Sequence, residues 1–258
     1  MKQSIISDIP PFKMFGELYF VGSSKVSVHI INTELGIVMI DTGYPHMYEQ
    51  ITHSIKELGF SPKDICAIFH SHGHIDHFGC TDKFKALSGA TTYISRIDND
   101  IVNGKYDLSW ANELNEKKLP PFNCDVLVED GDIFQFGNTS IRCVLTPGHT
   151  AGVLSFFINL TDNDRSIIAA MHGGVGINSM KTEFLNKYGL SLECRDIFRQ
   201  GLHKLADEHV DLVLGNHPYQ NDTAGKQKAV ASGNSSILDD SEWRRFLLTT
   251  ENNLNTII

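Results

Sequence analysis

Short apolar segments separated by turn residues open the chain and predict β-strands. Three of them, ELYFVG, KVSVHII and GIVMID, lie within the first 41 residues. The pattern changes after Pro45, where apolar residues recur at the spacing of one helical face and Gly59 is placed to end a helix: Met47, Ile51, Ile55 and Leu58. The segment DICAIF is a continuous apolar run, which is typical of a strand buried on both faces.

Strand and helix patterns alternate through the rest of the chain. TDKFKAL predicts a helix and TTYIS a strand, whereas residues 97–124 are polar and irregular and predict a loop or helical insertion over a site. Residues 125–146 predict a β-meander with turns at 130–131 and 137–138. VLSFFI, RSIIAAM and VDLVLG predict further strands, and residues 191–208 and SEWRRFLLTTE predict helices.

This order of elements predicts an α/β fold. Strands come first, βα units follow, and strands and then a βα unit come again, with no clear internal repeat and no linker. We therefore expect residues 1–258 to form a single domain in which two sheets are sandwiched between helices.

Composition restricts the partners of such a domain. The 258 residues are 41% hydrophobic and 21% charged, which favours a packed core over disorder. The net charge of −9 disfavours nucleic acid and anionic membranes, which both attract basic proteins. No apolar run approaches the roughly 18 residues that span a bilayer. We expect a small-molecule substrate, no nucleic-acid partner and no membrane partner.

The opening residues and the cysteines indicate the cellular location that we expect. The opening residues, MKQSIISDIPPFKMFG, contain no unbroken apolar stretch and do not resemble a signal peptide. The five cysteines are scattered and form no C-x-x-C pair, which favours reduced thiols. Both observations predict a cytoplasmic protein.

Candidate chemistry is concentrated in HSHGHIDHFG, residues 70–79, which contains four histidines and an aspartate. Within it lies an H-x-H-x-D-H pattern formed by His72, His74, Asp76 and His77, directly after a predicted strand. Two imidazoles two residues apart can point the same way on an extended backbone and form half of a metal site. The alternative is a loop of solvated histidines.

Two more histidines follow strands elsewhere. His149 follows IRCVL in a Pro-Gly turn, and His217 follows VDLVL. Each alone is more typical of a surface histidine, but both occur where a metal site shared between strand ends needs further ligands.

These segments resemble the metallo-β-lactamase superfamily over nearly the whole chain. The resemblance covers the opening strands up to DTG, the SHGHIDHFG signature and TPGHTAGVLSFFI. The tail SGNSSILDDSEWRRFL resembles the end of the third lactamase subclass, in which two histidines and an aspartate hold the second metal. The resemblance implies a four-layer αβ/βα sandwich with two mixed sheets flanked by helices.

The resemblance also implies two metal ions, with zinc favoured and iron or manganese open. One would be held by His72, His74 and His149, and the other by Asp76, His77 and His217. Asp41, at the end of GIVMID, would support these ligands without being one.

The chain departs from several relatives at His172. Glyoxalase II and lactonases of the superfamily carry an aspartate there that bridges both metals, whereas this chain reads MHGGVG. His172 is either an additional ligand or substrate contact, or a wall residue. The serines that the third subclass uses nearby are not evident, and Cys80 stands where relatives often have glycine; we expect it to be a buried thiol.

The implied activity is hydrolysis at a carbonyl of a small molecule. Two metal ions would supply hydroxide at neutral pH, oriented by Asp76, and no G-x-S-x-G nucleophile motif is present. Alternatives are a lactone or thioester hydrolase, a redox protein with iron, a nuclease, which the acidic charge disfavours, and a metal-binding protein without turnover.

Overall fold

The strands form two mixed sheets in the computed structural model, which describes residues 7–233 and 236–258. The first sheet has its strands in chain order: β1 (Phe12–Phe15), β2 (Leu18–Phe20), β3 (His29–Thr33), β4 (Gly36–Ile40), β5 (Ile65–Phe69), β6 (Thr91–Ser95) and β7 (Val126–Val128). Strands β1 to β4 are antiparallel, and β4 to β7 are parallel. Residues 1–6 of the opening segment 1–16, on which the signal-peptide prediction rests, lie outside the described residues, as do residues 234–235 of the tail motif.

The second sheet is built from the later strands: β8 (Ile133–Phe136), β9 (Thr139–Leu145), β10 (Leu154–Asp162), β11 (Arg165–Met171) and β12 (Leu212–Leu214). Its spatial order is β12-β11-β10-β9-β8, and all neighbours are antiparallel except β11 and β12. The single meander predicted for residues 125–146 is therefore wrong. Strand β7 pairs with β6 in the first sheet, because a short apolar run does not specify its partner strand, and the chain crosses between sheets near Asp130 and Gly131.

Helices cover the outer faces of the two sheets and form part of some connections between strands. They are α1 (Tyr48–Glu57), α2 (Ile75–Phe78), α3 (Thr81–Ser88), α4 (Arg96–Val102), α5 (Thr182–Tyr188), α6 (Cys194–Lys204), α7 (Thr223–Ala231) and α8 (Glu242–Asn255). The helix after Pro45 ends as predicted, since Gly59 adopts a φ of 88° and its N–H bonds to the Lys56 carbonyl. Sequence patterns missed α5 and α7, whose few apolar residues form no extended stripe.

Four layers result from this packing. The space between the sheets is filled by apolar side chains from both, among them Phe20, Ile40, Phe69, Phe156 and Ile158. Helices α1 and α3 pack on the outer face of the first sheet, and α6 and α8 pack on that of the second. This is the predicted sandwich of two mixed sheets flanked by helices. In the described part of the chain, no helix is both long enough and apolar enough to cross a membrane.

Strand direction brings the candidate residues to one edge of the sandwich. Asp41 follows β4, residues 70–77 follow β5, and His149, His172 and His217 lie beyond the ends of β9, β11 and β12. Strands β4 and β5 run parallel in one sheet; β9, β11 and β12 run the same way in the other. Because the carboxyl ends of parallel strands meet at a common edge, residues far apart in sequence become neighbours.

Candidate metal centre

Two groups of possible ligand atoms lie side by side at this edge. His72, His74 and His149 each direct a ring nitrogen into the first group, and these nitrogens all lie within 4.8 Å of one another. A carboxylate oxygen of Asp76 and ring nitrogens of His77 and His217 form the second group, within the same distance. The six residues chosen from the sequence are therefore brought together in the predicted division. That they hold metal ions stays a prediction.

The two groups are close enough to share a substrate. The ring centroids of His72, from the first group, and His77, from the second, are 4.2 Å apart. Asp76 Oδ2 lies 3.5 Å from His77 Nε2 and 3.7 Å from His217 Nε2. This spacing suits a dinuclear centre rather than two separate sites.

Hydrogen bonds at the outer nitrogens orient the rings. His72 Nδ1 donates to the Gly173 carbonyl (2.8 Å), and His149 Nδ1 donates to the Gly176 carbonyl (2.6 Å). His217 Nδ1 donates to the Lys25 carbonyl (2.7 Å). A carbonyl only accepts, so each ring carries its proton on Nδ1 and presents a lone pair on Nε2.

His74 has the opposite orientation. Its Nδ1 lies 3.1 Å from His72 Nε2, so it turns Nδ1 toward the centre of the first group. The planes of these two rings are nearly perpendicular, at 80°. With the His74 proton on Nδ1 this contact is a hydrogen bond to His72 Nε2, whereas with the proton on Nε2 both nitrogens present lone pairs. The second tautomer is the one that a metal ion between the two rings requires, and the spacing fits it.

The protonation state of the histidines in the first group also fits metal binding. Burial and the neighbouring imidazoles hold the pKa values of His72 and His74 well below the ordinary value for histidine. Burial likewise lowers the pKa of His149 to about 4. Neutral imidazole is the form that binds metals, so these rings are ready to act as ligands at pH 7.

In the second group, nearby carboxylates change the direction in which the pKa of His77 is shifted. Burial by itself lowers the pKa of His77, but the carboxylates of Asp76 and Asp41 outweigh it and raise that pKa. Burial, followed by the proximity of His77, lowers the pKa of His217. One acidic ligand gives the second group more negative charge than the first.

Asp41 lies beneath the ligands and contacts one of them. Its Oδ2 accepts hydrogen bonds from His77 Nδ1 (2.8 Å) and Ser71 Oγ (2.7 Å), and its Oδ1 accepts from the Ser71 N–H (2.7 Å). Asp41 itself adopts a φ of 58°, which aspartate tolerates better than most residues. It belongs to neither ligand group and orients His77.

Asp98 is a buried residue of the site that sequence reasoning missed. Its Oδ2 accepts hydrogen bonds from the Gly73 N–H (2.8 Å) and from Thr150 Oγ1 (2.6 Å). It thus joins the loop after β5 to the loop after β9. Burial raises the pKa of Asp98 to about 6, although the Thr150 hydroxyl and backbone N–H groups act in the opposite direction. In the sequence, Asp98 was recognisable only as a polar residue within residues 97–124, the segment predicted as an insertion.

Trp110 belongs to the segment predicted as an insertion. Its ring stacks on His74 with centroids 5.2 Å apart and an interplanar angle of 25°, and it also contacts Phe184 (5.2 Å). The insertion therefore does reach the site, as residues 97–124 predicted, although their first residues are helical. Ser179 is a further contact, whose Oγ donates to the His149 carbonyl at 2.7 Å.

Two other residues, His172 and Cys80, were considered from the sequence. His172 is fully buried, packs on Phe198 with centroids 5.8 Å apart, and belongs to neither ligand group among the described residues. Burial lowers its pKa to about 3. Cys80 is a buried thiol that donates to the Tyr44 carbonyl (3.0 Å), as expected.

Comparison with known proteins agrees with this geometry. The family model described as "Metallo-beta-lactamase superfamily" matches residues 21–162. The chain belongs to the metallo-beta-lactamase superfamily. Its structure matches the FEZ-1 metallo-beta-lactamase from Legionella gormanii with a TM-score of 0.87 and 25% identity, covering 97% of this chain and 95% of that one. The subclass B3 enzyme BJP-1 of Bradyrhizobium japonicum matches in fold, with a TM-score of 0.83, 24% identity and coverage of 97% and 94%.

Curated relatives are similar over shorter stretches. A protein of Aquifex aeolicus is 27% identical over 139 residues, 53% of this chain and 62% of that protein. The probable polyketide biosynthesis zinc-dependent hydrolase BaeB of Bacillus velezensis is 28% identical over 113 residues, 43% of this chain and 41% of BaeB. The chain thus spans about half the length of these relatives. Members of the superfamily with B3-like architecture are its structural neighbours.

Proposed function

We propose that this protein is a metal-dependent hydrolase that binds two zinc ions and cleaves an acyl bond of a small molecule. The observation that carries the proposal is the pair of adjacent ligand groups, each with three donor atoms within 4.8 Å of one another. Three protein ligands per ion leave a coordination position open, as catalytic zinc sites require.

Zinc fits the donors. Imidazole nitrogen and carboxylate oxygen are both ordinary zinc ligands, and the relative BaeB is named as a probable zinc-dependent hydrolase. Two such ions, when bound, lower the pKa of coordinated water to about 7 and polarise a carbonyl oxygen. The protein's own contribution is to hold the ligands, exclude bulk water and handle protons.

Asp76 is the residue that we assign to proton handling. Its Oδ2 faces His77 and His217, and no hydrogen bond to its Oδ1 arises from the residues that the structure describes. Oδ1 is therefore available to accept a hydrogen bond from the attacking water and to orient it toward the substrate carbonyl. Trp110 shields the His74 side of the centre from solvent.

The ligand pattern supports a β-lactamase-like centre over a bridged one. Within residues 7–233 and 236–258, the two groups share no carboxylate, and the buried, neutral His172 stands where bridged relatives place an aspartate. The B3-like structural neighbours support the same reading. Lactones and thioesters are the next substrates to consider, because the same arrangement polarises any carbonyl.

Hydrolysis of a chromogenic cephalosporin by zinc-loaded protein tests the proposal. We expect turnover that disappears on chelation and falls by more than about 100-fold in His74→Ala. The matched control is His53→Ala, since His53 lies on α1 with 48% of its side chain exposed. Metal analysis of the same samples should give two zinc ions per chain, and about one in His74→Ala.

Negative results separate the alternatives. Two bound ions without cephalosporin turnover direct the assay to lactones and thioesters. Two bound ions without turnover of any of these acyl substrates contradict the hydrolase proposal and favour a metal-binding protein. Retention of iron in preference to zinc after loading with both contradicts the assignment of zinc.

A further inference from the structure

A large cavity adjoins the first ligand group. Its volume is about 760 Å³, and both His74 and His149 contribute to its wall. Ser179, which donates a hydrogen bond to the His149 carbonyl, lines it as well. A volume of this size is within the range of small-molecule sites. The cavity therefore opens beside the centre at which the proposed hydrolysis takes place.

The wall of this cavity is apolar and partly open to water. Four large apolar side chains that line it are each more than a third exposed: Ile97 (44%), Tyr106 (51%), Leu190 (39%) and Ile197 (42%). They come from α4, the insertion, the α5–α6 connection and α6. Apolar surface that is gathered in one concave site and left exposed is typical of a binding site for an apolar group.

The charged side chains at this cavity do not favour an anion. Among the described residues of the wall, Arg96 is the only arginine or lysine, and its guanidinium already pairs with Glu129. Asp100 pairs with Lys105 (2.6 Å), while Glu193 adds negative charge at the wall. A phosphate or carboxylate would thus lack an unpaired cation here, whereas an uncharged hydrocarbon chain needs none.

We propose that this cavity binds the aliphatic chain of the substrate, which makes fatty-acyl compounds the substrate class of this hydrolase. The inference rests on the proposed function, because it assigns the acyl carbonyl to the metal centre and the chain to the cavity. In the reaction, the oxygen of water bonds to the acyl carbon and the bond from that carbon to nitrogen, oxygen or sulfur breaks. The leaving atom takes up a proton, and a fatty acid is released.

Binding without turnover is the first test. Calorimetric titration of zinc-loaded protein with 1-butanol and longer alcohols up to 1-octanol should show affinity rising about fourfold for each methylene buried. Ile197→Asp and, separately, Leu190→Asp should weaken 1-octanol binding at least about tenfold, since both place a charge in the apolar wall. Ile133→Asp is the matched control, because Ile133 is 63% exposed on β8 and does not line the cavity.

Turnover is the second test. For p-nitrophenyl esters from acetate to octanoate, kcat/KM should rise about fourfold per methylene until the cavity is filled. This dependence on chain length should flatten in Ile197→Asp and persist in Ile133→Asp.

The outcomes of the two tests distinguish a failure of the fatty-acyl inference from a failure of the proposed function. Turnover that is independent of chain length, without alcohol binding, overturns the fatty-acyl inference and leaves the hydrolase proposal standing. Chain-length-dependent alcohol binding without hydrolysis of any ester or other acyl substrate contradicts the proposed function and leaves the cavity as an apolar binding site. A self-association that Ile197→Asp abolishes, with no alcohol binding, overturns the inference in favour of an interface between copies of the chain.

Discussion

Asp41 Oδ2 accepts a hydrogen bond from His77 Nδ1 at 2.8 Å, and each side chain is 1% exposed. The contact joins the end of β4 to the loop after β5, and the same carboxylate binds the N–H and the hydroxyl of Ser71. Removing bulk water makes a charge-assisted hydrogen bond stronger. One buried carboxylate thus sets both the ring orientation of His77 and the start of the ligand loop.

Asp41→Asn should weaken the second metal site selectively. Asparagine tolerates the left-handed backbone, but it loses the negative charge and directs N–H donors toward groups that also donate. We expect zinc affinity of the second site to fall about 10- to 100-fold and that of the first to change little. Competition with a chromophoric chelator measures both constants. Asp82→Asn, on the exposed side of α3, serves as the control; equal affinities in both variants would contradict the role of Asp41.

Asp98→Ala should loosen the two loops that it joins. The substitution leaves the Gly73 N–H and the Thr150 hydroxyl without their buried acceptor, so we expect a loss of about 2 kcal/mol in the free energy of unfolding. Urea denaturation of the chelated protein measures it, with Asp82→Ala expected to remain within about 0.5 kcal/mol of the parent. A loss no larger than that of Asp82→Ala would show that the loops do not depend on this link.

Trp110 should report metal binding at the first group. Its ring stacks on His74 at 5.2 Å, whereas the indole of Trp243 is buried against α6 and donates to the Leu205 carbonyl. Cobalt(II) bound at the first group should quench the larger part of the Trp110 emission, and Trp110→Phe should remove most of that quenching. If Trp243→Phe removes it instead, the stacking in solution differs from that described.

His29 should make the fold sensitive to acid. Its ring is fully buried on β3, and neither nitrogen has a hydrogen-bond partner among the described residues. Burial lowers its pKa from 6.5 to about 4. Between about pH 6.5 and pH 4, His29 therefore binds a proton in the unfolded chain but not in the folded protein. The contribution of neutral, buried His29 to stability is intact above about pH 6.5 and is lost as the pH falls toward 4.

His29→Leu should remove that dependence. Between pH 7 and 4.5, the chelated variant should lose about 2 to 3 kcal/mol less of its free energy of unfolding than the parent does. Urea denaturation over this pH range measures the difference. His203→Leu, at a side chain that is 62% exposed, is the control. Parallel pH profiles for the parent and His29→Leu would contradict the prediction.

Local sequence was a good guide where a pattern repeated. The helix after Pro45 and the buried strand DICAIF are found at the predicted places, because apolar periodicity and continuous apolar runs are set by which faces are buried. Helix α7 was missed because its small and polar residues carry no stripe. Strand β7 was assigned to the wrong neighbours, since pairing depends on distant strands.

The sequence by itself determined which side chains are available for the candidate centre. The H-x-H-x-D-H segment, His149 and His217 were recognisable because their residue types and their positions after strands are local properties. The family resemblance implied their division into two sets of three. Only the tertiary structure decided that the two groups lie side by side, which hydrogen bonds turn each ring, and which contacts Asp98 and Trp110 make. These depend on how the ends of β4, β5, β9 and β12 meet at one edge, and a strand does not carry the position of its distant neighbours in its own sequence.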